Sequence, residues 1–161
     1  MKFYLITGGI LVADQITKFL ALKFLPAHQS LKIFPAFLWL TLQHNSGAAF
    51  SLLSNHTYLL TGFTAMASVF IILWGIRLPK NEKLMKIALG FVAGGALGNL
   101  ADRFFRGGEV VDFIDIHWFE RGNIWPVFNI ADTAICIGVG IIILDSFLTK
   151  KKSPSRQESK K

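Results

Sequence analysis

One cysteine, Cys136, stands in the 161 residues, so no disulfide can form within the chain and no thiolate metal site can be built. The four histidines, His28, His44, His56 and His117, are scattered without the H-E-x-x-H spacing of a zinc protease. Charge is scarce too. Only 17% of residues are Asp, Glu, Lys or Arg against 52% hydrophobic, and mean hydropathy is +0.47. That balance excludes an ordinary soluble domain. The oily stretches also lack the polar-apolar alternation of a transmembrane barrel, which leaves helices as the spanning elements. No small-x-small cleavage site follows the first of them, and Asp14, Gln15 and Lys18 interrupt it, so it is read as a retained helix.

What is present is four apolar blocks, approximately 3–25, 57–78, 84–106 and 129–149. Crossing roughly 30 Å of hydrocarbon takes about 20 helical residues, which each block supplies. The expectation is an all-α polytopic membrane protein: one membrane-embedded domain over 1–149 with four transmembrane helices, and a basic cytoplasmic tail, KKKSPSRQESKK (150–161), disordered against anionic lipid. A net charge of +7 raises the question of nucleic acid, and the placement of the charge answers it. Eleven of the seventeen basic residues fall at Lys2, in the second connection or in the tail; five (Lys23, Lys32, Arg103, Arg106 and Arg121) fall on the opposite side, and Lys18 lies within a span. By the positive-inside rule both termini and the 79–83 turn are cytoplasmic, and the connections 26–56 and 107–128 are outside. No nucleic-acid partner is expected.

Ionisable residues inside spans cost about 2.5 to 3.5 kcal/mol each on insertion scales, so each needs a reason. Asp14 and Lys18 stand one turn apart with the acid first, the favourable order for an ion pair. Mutual neutralisation and a role beside a site both remain open for them. Gly90, Gly94 and Gly98 form a small-residue stripe along which another helix can approach. Asn99, Asp102 and Arg103 follow on one face, and a snorkelling Asp-Arg pair would account for them taken alone.

In the second outer connection Gly107 and Gly108 break the helix, and VVDFIDIHWF mixes acids with large apolar residues, as an interfacial outer loop does. It is expected to skim the membrane, with 107–127 acting as a mobile lid because its apolar residues show no fixed partner. FLWLTLQHN (37–45) has the bias of a short strand, a small extracytoplasmic β element over the helix ends. Phe34, Phe37, Trp39, Trp118, Phe119 and Trp125 supply aromatics for headgroup depth.

Asn129 fits an N-cap, and Asp132 then falls at N3, where a carboxylate can bond back to the cap. Capping would be a sufficient reason if those residues stood alone. The third and fourth spans are antiparallel neighbours, however, so Asn99, Asp102 and Arg103 lie level with Asn129 and Asp132, and Asp112 is tethered between them. Three aspartates, two asparagines and an arginine at one membrane face exceed what capping requires. Two close carboxylates cannot both ionise easily, and one proton between them is the aspartic-protease arrangement. The residues themselves do not choose a pair among Asp102, Asp112 and Asp132.

DQITK (14–18), NSGAAF (45–50), GNLADR (98–103), VVDF (110–113) and FNIAD (128–132), in that order, resemble the lipoprotein signal peptidase family, also called signal peptidase II. The resemblance covers four helices and both outer connections, nearly everything except the tail, and Asp115 and Glu120 fall between its motifs. It implies an aspartyl endopeptidase of the bacterial cytoplasmic membrane, acting as a monomer among membrane lipids near their extracytoplasmic face. Its substrate would be a lipidated prolipoprotein, cut immediately before the cysteine that bears a diacylglyceryl group. It further implies Asp112 and Asp132 as the catalytic pair. Asn45, Gly47, Asn99, Asp102, Arg103, Asn129 and Ala131 would line or support the site, Asp14 and Lys18 would be structural or supporting, and no metal or organic cofactor is implied. Rival readings are a small ion carrier, a Mg²⁺-dependent headgroup transferase and a noncatalytic scaffold. The clustering of acids at one face and the lack of an inverted repeat speak against the first.

Overall fold

The computed structural model describes residues 1–27, 29–47, 57–117 and 124–151. Four helices, α1 (Lys2–Phe24), α2 (Thr57–Arg77), α3 (Lys83–Phe105) and α4 (Ile130–Lys151), are each long and apolar enough to cross a membrane. They differ in how much of themselves they bury. Half of the α3 span is covered by protein, against 17%, 11% and 17% for α1, α2 and α4, so α3 is the central post and the other three turn most of their surface outward. Leu89 and Ala93 of α3 form a core with Phe3 of α1, closed by Ile71 and Ile72 of α2 and Ile142 of α4.

The glycine stripe of α3 has a definite partner. A Cβ on Gly90 would lie 3.1 Å from Ile6 Cβ, one on Gly94 would lie 2.7 Å from Ile10 Cβ and 2.9 Å from the Thr7 carbonyl oxygen, and one on Gly98 would lie 2.5 Å from an Asp14 oxygen. All three contacts are with α1. Gly95 and Gly138 do the same service between α3 and α4, against the backbone carbonyls of Ala131 and Ala88. Small residues thus let two helices reach backbone contact with α3.

Three strands, β1 (Ser30–Phe34), β2 (Leu38–Asn45) and β3 (Val110–Ile116), form an antiparallel sheet in the order β1-β2-β3. The strand expected at 37–45 is its middle member. β1 and β3 were not expected, and for β3 the difference matters. VVDFIDI does not skim a surface: Val110, Val111 and Phe113 are 3%, 0% and 8% exposed. Its far edge is closed as well, by backbone bonds between Ile114 and Phe128 in both directions (2.8 and 3.0 Å) and from Ile124 N to Ile116 O (3.0 Å). The mobile lid over 107–127 is therefore corrected for 110–117, whose ladder bonds and burial supply the fixed partners; in 124–127 Ile124 is tied to Ile116 through its backbone, while Ile124 and Trp125 are more than half exposed. Residues 118–123, with Trp118 and Phe119, lie outside the described residues, as do Ala48 to Phe50 of the NSGAAF motif, Glu120 and the tail from 152 onward. Phe34, Phe37 and Trp125 are each more than half exposed, whereas Trp39 stacks on His117 at 3.8 Å between centroids.

Gly107 and Gly108 do break α3, with φ of 65° and 93°. Gly108 N bonds back to Arg103 O (2.9 Å), the left-handed C-terminal turn that glycine takes without a Cβ penalty. It delivers the chain into β3 within a few residues.

The packing of α1 on α3 makes a direct prediction. Gly94→Ala forces a methyl against Thr7 backbone and Ile10 and should cost about 1 to 3 kcal/mol, seen as a lower unfolding temperature in detergent. Gly140→Ala, with nothing within 4 Å, should leave that temperature unchanged or raise it; equal behaviour of the two variants would contradict the close approach.

Candidate active site

The site begins as a helix cap. Asn129 Oδ1 accepts from Asp132 N (3.0 Å) and Asp132 Oδ2 accepts from Asn129 N (3.2 Å), a reciprocal box that satisfies two backbone donors at the start of α4. The rest of Asn129 does something a cap does not need. Its Nδ2 donates to Asp112 Oδ1 (2.6 Å), with Asn99 Oδ1 (3.1 Å) and Val111 O (3.3 Å) also in reach. One fully buried asparagine thus touches both carboxylates, Asp112 through its amide and Asp132 through its backbone.

Each carboxylate has a second amide donor. Asn45, at the end of β2 and diagonal to Asp112 across the β2-β3 ladder, donates Nδ2 to Asp112 Oδ2 (3.0 Å), while its Oδ1 accepts from Gly47 N (3.0 Å). Asn99 of α3 donates Nδ2 to Asp132 Oδ1 (2.8 Å). Arg103, one turn further along α3, holds the Gly47 carbonyl through Nη2 (3.1 Å), its Nε is buried without a hydrogen-bond partner among the described residues, and its charge acts on Asp132 and Asp112.

Asn45, Gly47, Asn99, Arg103, Asp112 and Asp132 share the wall of one open cavity of about 240 Å³. Trp125, Val127, Phe128 and Ile135 make the rest of it largely apolar. Burial pushes the Asp112 carboxyl up to about 6 from an ordinary 3.8; the Asn45 hydrogen bond opposes this, the charge of Asp132 adds to it, and the Asn129 hydrogen bond opposes it.

The third aspartate faces away from this cavity. Asp102, fully buried, accepts at Oδ2 from Lys18 Nζ (2.8 Å) and Val111 N (3.1 Å), and at Oδ1 from Gln15 Nε2 and Arg106 Nε (both 3.1 Å). Asp14 accepts from Lys18 Nζ at Oδ2 (2.9 Å) and from Ala131 N at Oδ1 (2.9 Å). Asp14, Lys18, Asp102, Asn129 and Ala131 therefore form the layer behind the cavity wall, and all are buried. Asp115 is on the opposite face of β3 from Asp112, bonded to Thr41 Oγ1 (2.8 Å).

Two contributions were not read from the sequence. Gln15 ties Asp14, Asp102 and the Gly98 carbonyl together (3.1 to 3.2 Å); as a polar residue in a span between Asp14 and Lys18, it carried the same signal as its neighbours. Ile135 and Cys136, three and four residues after Asp132, are on its helical face and were legible by spacing. Among the described residues no three His, Cys, Asp or Glu are grouped to hold a metal ion.

Residues 6–148 match the family described as signal peptidase (SPase) II. The chain is 41% identical over 153 residues to a lipoprotein signal peptidase of Brevibacillus brevis, covering 95% of this chain and 99% of that one. To the lipoprotein signal peptidase of Syntrophotalea carbinolica it is 42% identical over 143 residues, 87% of each chain. A bacterial membrane enzyme solved in meso at 2.3 Å superposes with a TM-score of 0.83 at 33% identity, over 99% of this chain and 94% of that one. A second, at 1.9 Å, gives 0.78 at 34% identity over 89% and 90%.

The electrostatics predict a titration. Infrared difference spectra of the protein with labelled aspartate should show the Asp112 carboxyl losing its proton near pH 6, well above the usual carboxylate range. In Asp132→Asn the neighbouring charge is gone, so the same band should titrate at lower pH; an unmoved or raised midpoint would show that the two groups are not coupled.

Proposed function

We propose, since this chain belongs to the signal peptidase II family, that it removes signal peptides from lipid-modified prolipoproteins, cleaving immediately before the lipidated cysteine with Asp112 and Asp132 as its catalytic pair. Two relatives bear the name lipoprotein signal peptidase over nearly this whole length. The single observation that carries the assignment of the pair is that Asn129 bonds both carboxylates at one open cavity while Asp102 is turned to Lys18 and Arg106.

Asp112 is the member with the raised affinity for a proton, so it serves as the acid and Asp132 as the base. Water between them gives a proton to Asp132 as its oxygen attacks the scissile carbonyl carbon, and Asp112 gives its proton to the carbonyl oxygen. The tetrahedral diol then collapses: a proton passes to the amide nitrogen, the C–N bond breaks, and the signal peptide leaves as a carboxylic acid with a free amine on the lipidated cysteine. The amides of Asn45, Asn99 and Asn129 hold both carboxylates in place, so little reorganisation accompanies the reaction.

Orientation follows from charge. With both termini and the 79–83 turn cytoplasmic, the ends of α3 and α4 that carry the pair, and the sheet above them, lie at the extracytoplasmic interface. A signal peptide is itself a membrane helix whose cleavage point emerges at that depth, and a largely apolar cavity beside the spans lets it enter from lipid while its acyl chains stay in the bilayer. Residues 1–149 act as one monomeric domain in the bacterial cytoplasmic membrane, with 150–161 as a basic cytoplasmic tail.

Incubated with a lipidated prolipoprotein, Asp112→Asn and Asp132→Asn should each lose at least about 1,000-fold in cleavage rate with normal yield and unfolding temperature, and EDTA should not slow the parent enzyme. Residual wild-type cleavage in either variant would reject the pair, and loss of activity with EDTA would favour the metal-dependent transferase reading. Because Asp112 has to hold its proton, kcat/KM should decline as pH rises above about 6 in the free enzyme; a rate that climbs through that range without a break would contradict the roles assigned.

A further inference from the structure

Lys18 is the one lysine whose side chain is fully buried among the described residues, and its surroundings have a specific stoichiometry. An ammonium has three hydrogens and accepts nothing. Nζ meets three acceptors: Asp14 Oδ2 at 2.9 Å, Asp102 Oδ2 at 2.8 Å and Asn99 Oδ1 at 2.9 Å. Neutralising a charge for membrane insertion needs the first of these, and Asp14 on the same helix provides it. The third contact points toward the cavity.

A side-chain amide can turn over and exchange its oxygen and nitrogen. Asn99 cannot, because Lys18 tolerates only an acceptor, which fixes Oδ1 inward and leaves Nδ2 for Asp132 Oδ1 at 2.8 Å. The same Oδ1 also accepts from Asn129 Nδ2 at 3.1 Å, which commits that group as a donor and so offers a hydrogen to Asp112 Oδ1 at 2.6 Å. The ammonium thus sets the polarity of the Asn99 amide and its donor to Asp132, and together with the cap, where Asn129 Oδ1 accepts from Asp132 N, it sets that of Asn129. The converse arrangement, with Asn99 Oδ1 facing Asp132, would put an acceptor against an acceptor.

We propose that Lys18 is a positioning residue for hydrolysis, acting through Asn99 and Asn129 to orient donors onto Asp132 and Asp112 and stabilising by its charge the single negative charge that the aspartate pair carries. The inference rests on the aspartyl-protease reading. The other charges facing this region are Asp14 on α1, Asp102, Arg103 and Arg106 on α3, Asp112 on β3 and Asp132 on α4; Cys136 is on the cavity wall, and His44 and Glu109 pair at the exposed rim, 3.4 Å apart. The field of Lys18 reaches Asp112, where it opposes the effect of burial.

The test is the pH dependence of kcat/KM on lipidated prolipoprotein. Removing the ammonium in Lys18→Met should move the alkaline limb, set by Asp112, to higher pH by up to about one unit, so that at a fixed pH on that limb kcat/KM relative to its own maximum rises by up to about 10-fold. Asp14→Asn, which leaves Lys18 less compensated, should move it the opposite way. The double variant Asp14→Asn/Lys18→Met removes one charge of each sign and leaves no new unpaired ion between the two; it should show a smaller shift in the same upward direction, since the charge of Lys18 is the one that acts on Asp112, even where Lys18→Met alone does not fold. Gln15→Met removes a neutral donor from the same carboxylates and should lower the unfolding temperature with the limbs in place. Limbs that superimpose on wild type in the Lys18 variants, or a uniform fall in rate without a shift, would overturn the proposal. If Asp112→Asn remains inactive in the same assay, that result leaves the protease reading intact; if Asp112→Asn cleaves, the underlying reading has failed instead.

Discussion

A positive charge buried where the membrane meets the outer elements is the constraint around which this molecule is built. An ammonium in low dielectric is unaffordable unless every hydrogen is taken, and removing one partner from such a cluster typically costs about 3 to 5 kcal/mol. Lys18 on α1 recruits Asp102 and Asn99 on α3 besides its own Asp14. The two acids then reach further: Asp14 takes Ala131 N at the start of α4 with its other oxygen, and Asp102 takes Val111 N in β3 with the same oxygen that meets Lys18. One satisfied cation therefore fixes the relative positions of two helices, the N-terminus of a third and the strand that carries Asp112. The glycines at 94, 95 and 98 are the steric counterpart, since polar groups this short can meet only if the backbones that bear them almost touch.

Function draws on the same economy of parts. The start of α4 must satisfy its free backbone donors in a setting where water is sparse, and the Asn129-Asp132 box does so. Because the cap residue is an asparagine, its amide hydrogens remain for other use, and one of them meets Asp112. A serine or threonine would cap equally well and would leave Asp112 with Asn45 as its single side-chain donor. The carboxylate at the entrance of this oily helix completes a cap and at the same time presents a charge to a second carboxylate.

What could be read in advance divides along the range of the interactions involved. The four spans, the N-cap with its N3 acid and the pairing of Asp14 with Lys18 are local, expressed within a few residues, and the periodicity of an apolar helix carries them. The small-residue stripe announced a close neighbour without saying which helix it was. The sheet was legible only at 37–45, because β3 pairs with residues about seventy positions earlier and buries both faces; VVDFIDI has no period-two polar face to betray it, and its mix of acids and large apolar residues reads as an interfacial loop. Choosing among Asp102, Asp112 and Asp132 was likewise beyond periodicity. Arg103 offered itself in sequence as the snorkelling partner of Asp102, whereas Asp102 is held by Arg106, Lys18 and Val111 N, the last two from other elements and visible only in three dimensions.

The central claim is that Asp112 and Asp132 act together on one water in the open cavity they share. The most direct measurement is a high-resolution structure of the protein with a peptide analogue that carries a secondary hydroxyl in place of the scissile carbonyl. The account predicts that hydroxyl within hydrogen-bond distance of both carboxylates, with the Asn45, Asn99 and Asn129 amides unmoved. A bound analogue whose hydroxyl sits away from the pair, or carboxylates that part to face different surroundings, would contradict it.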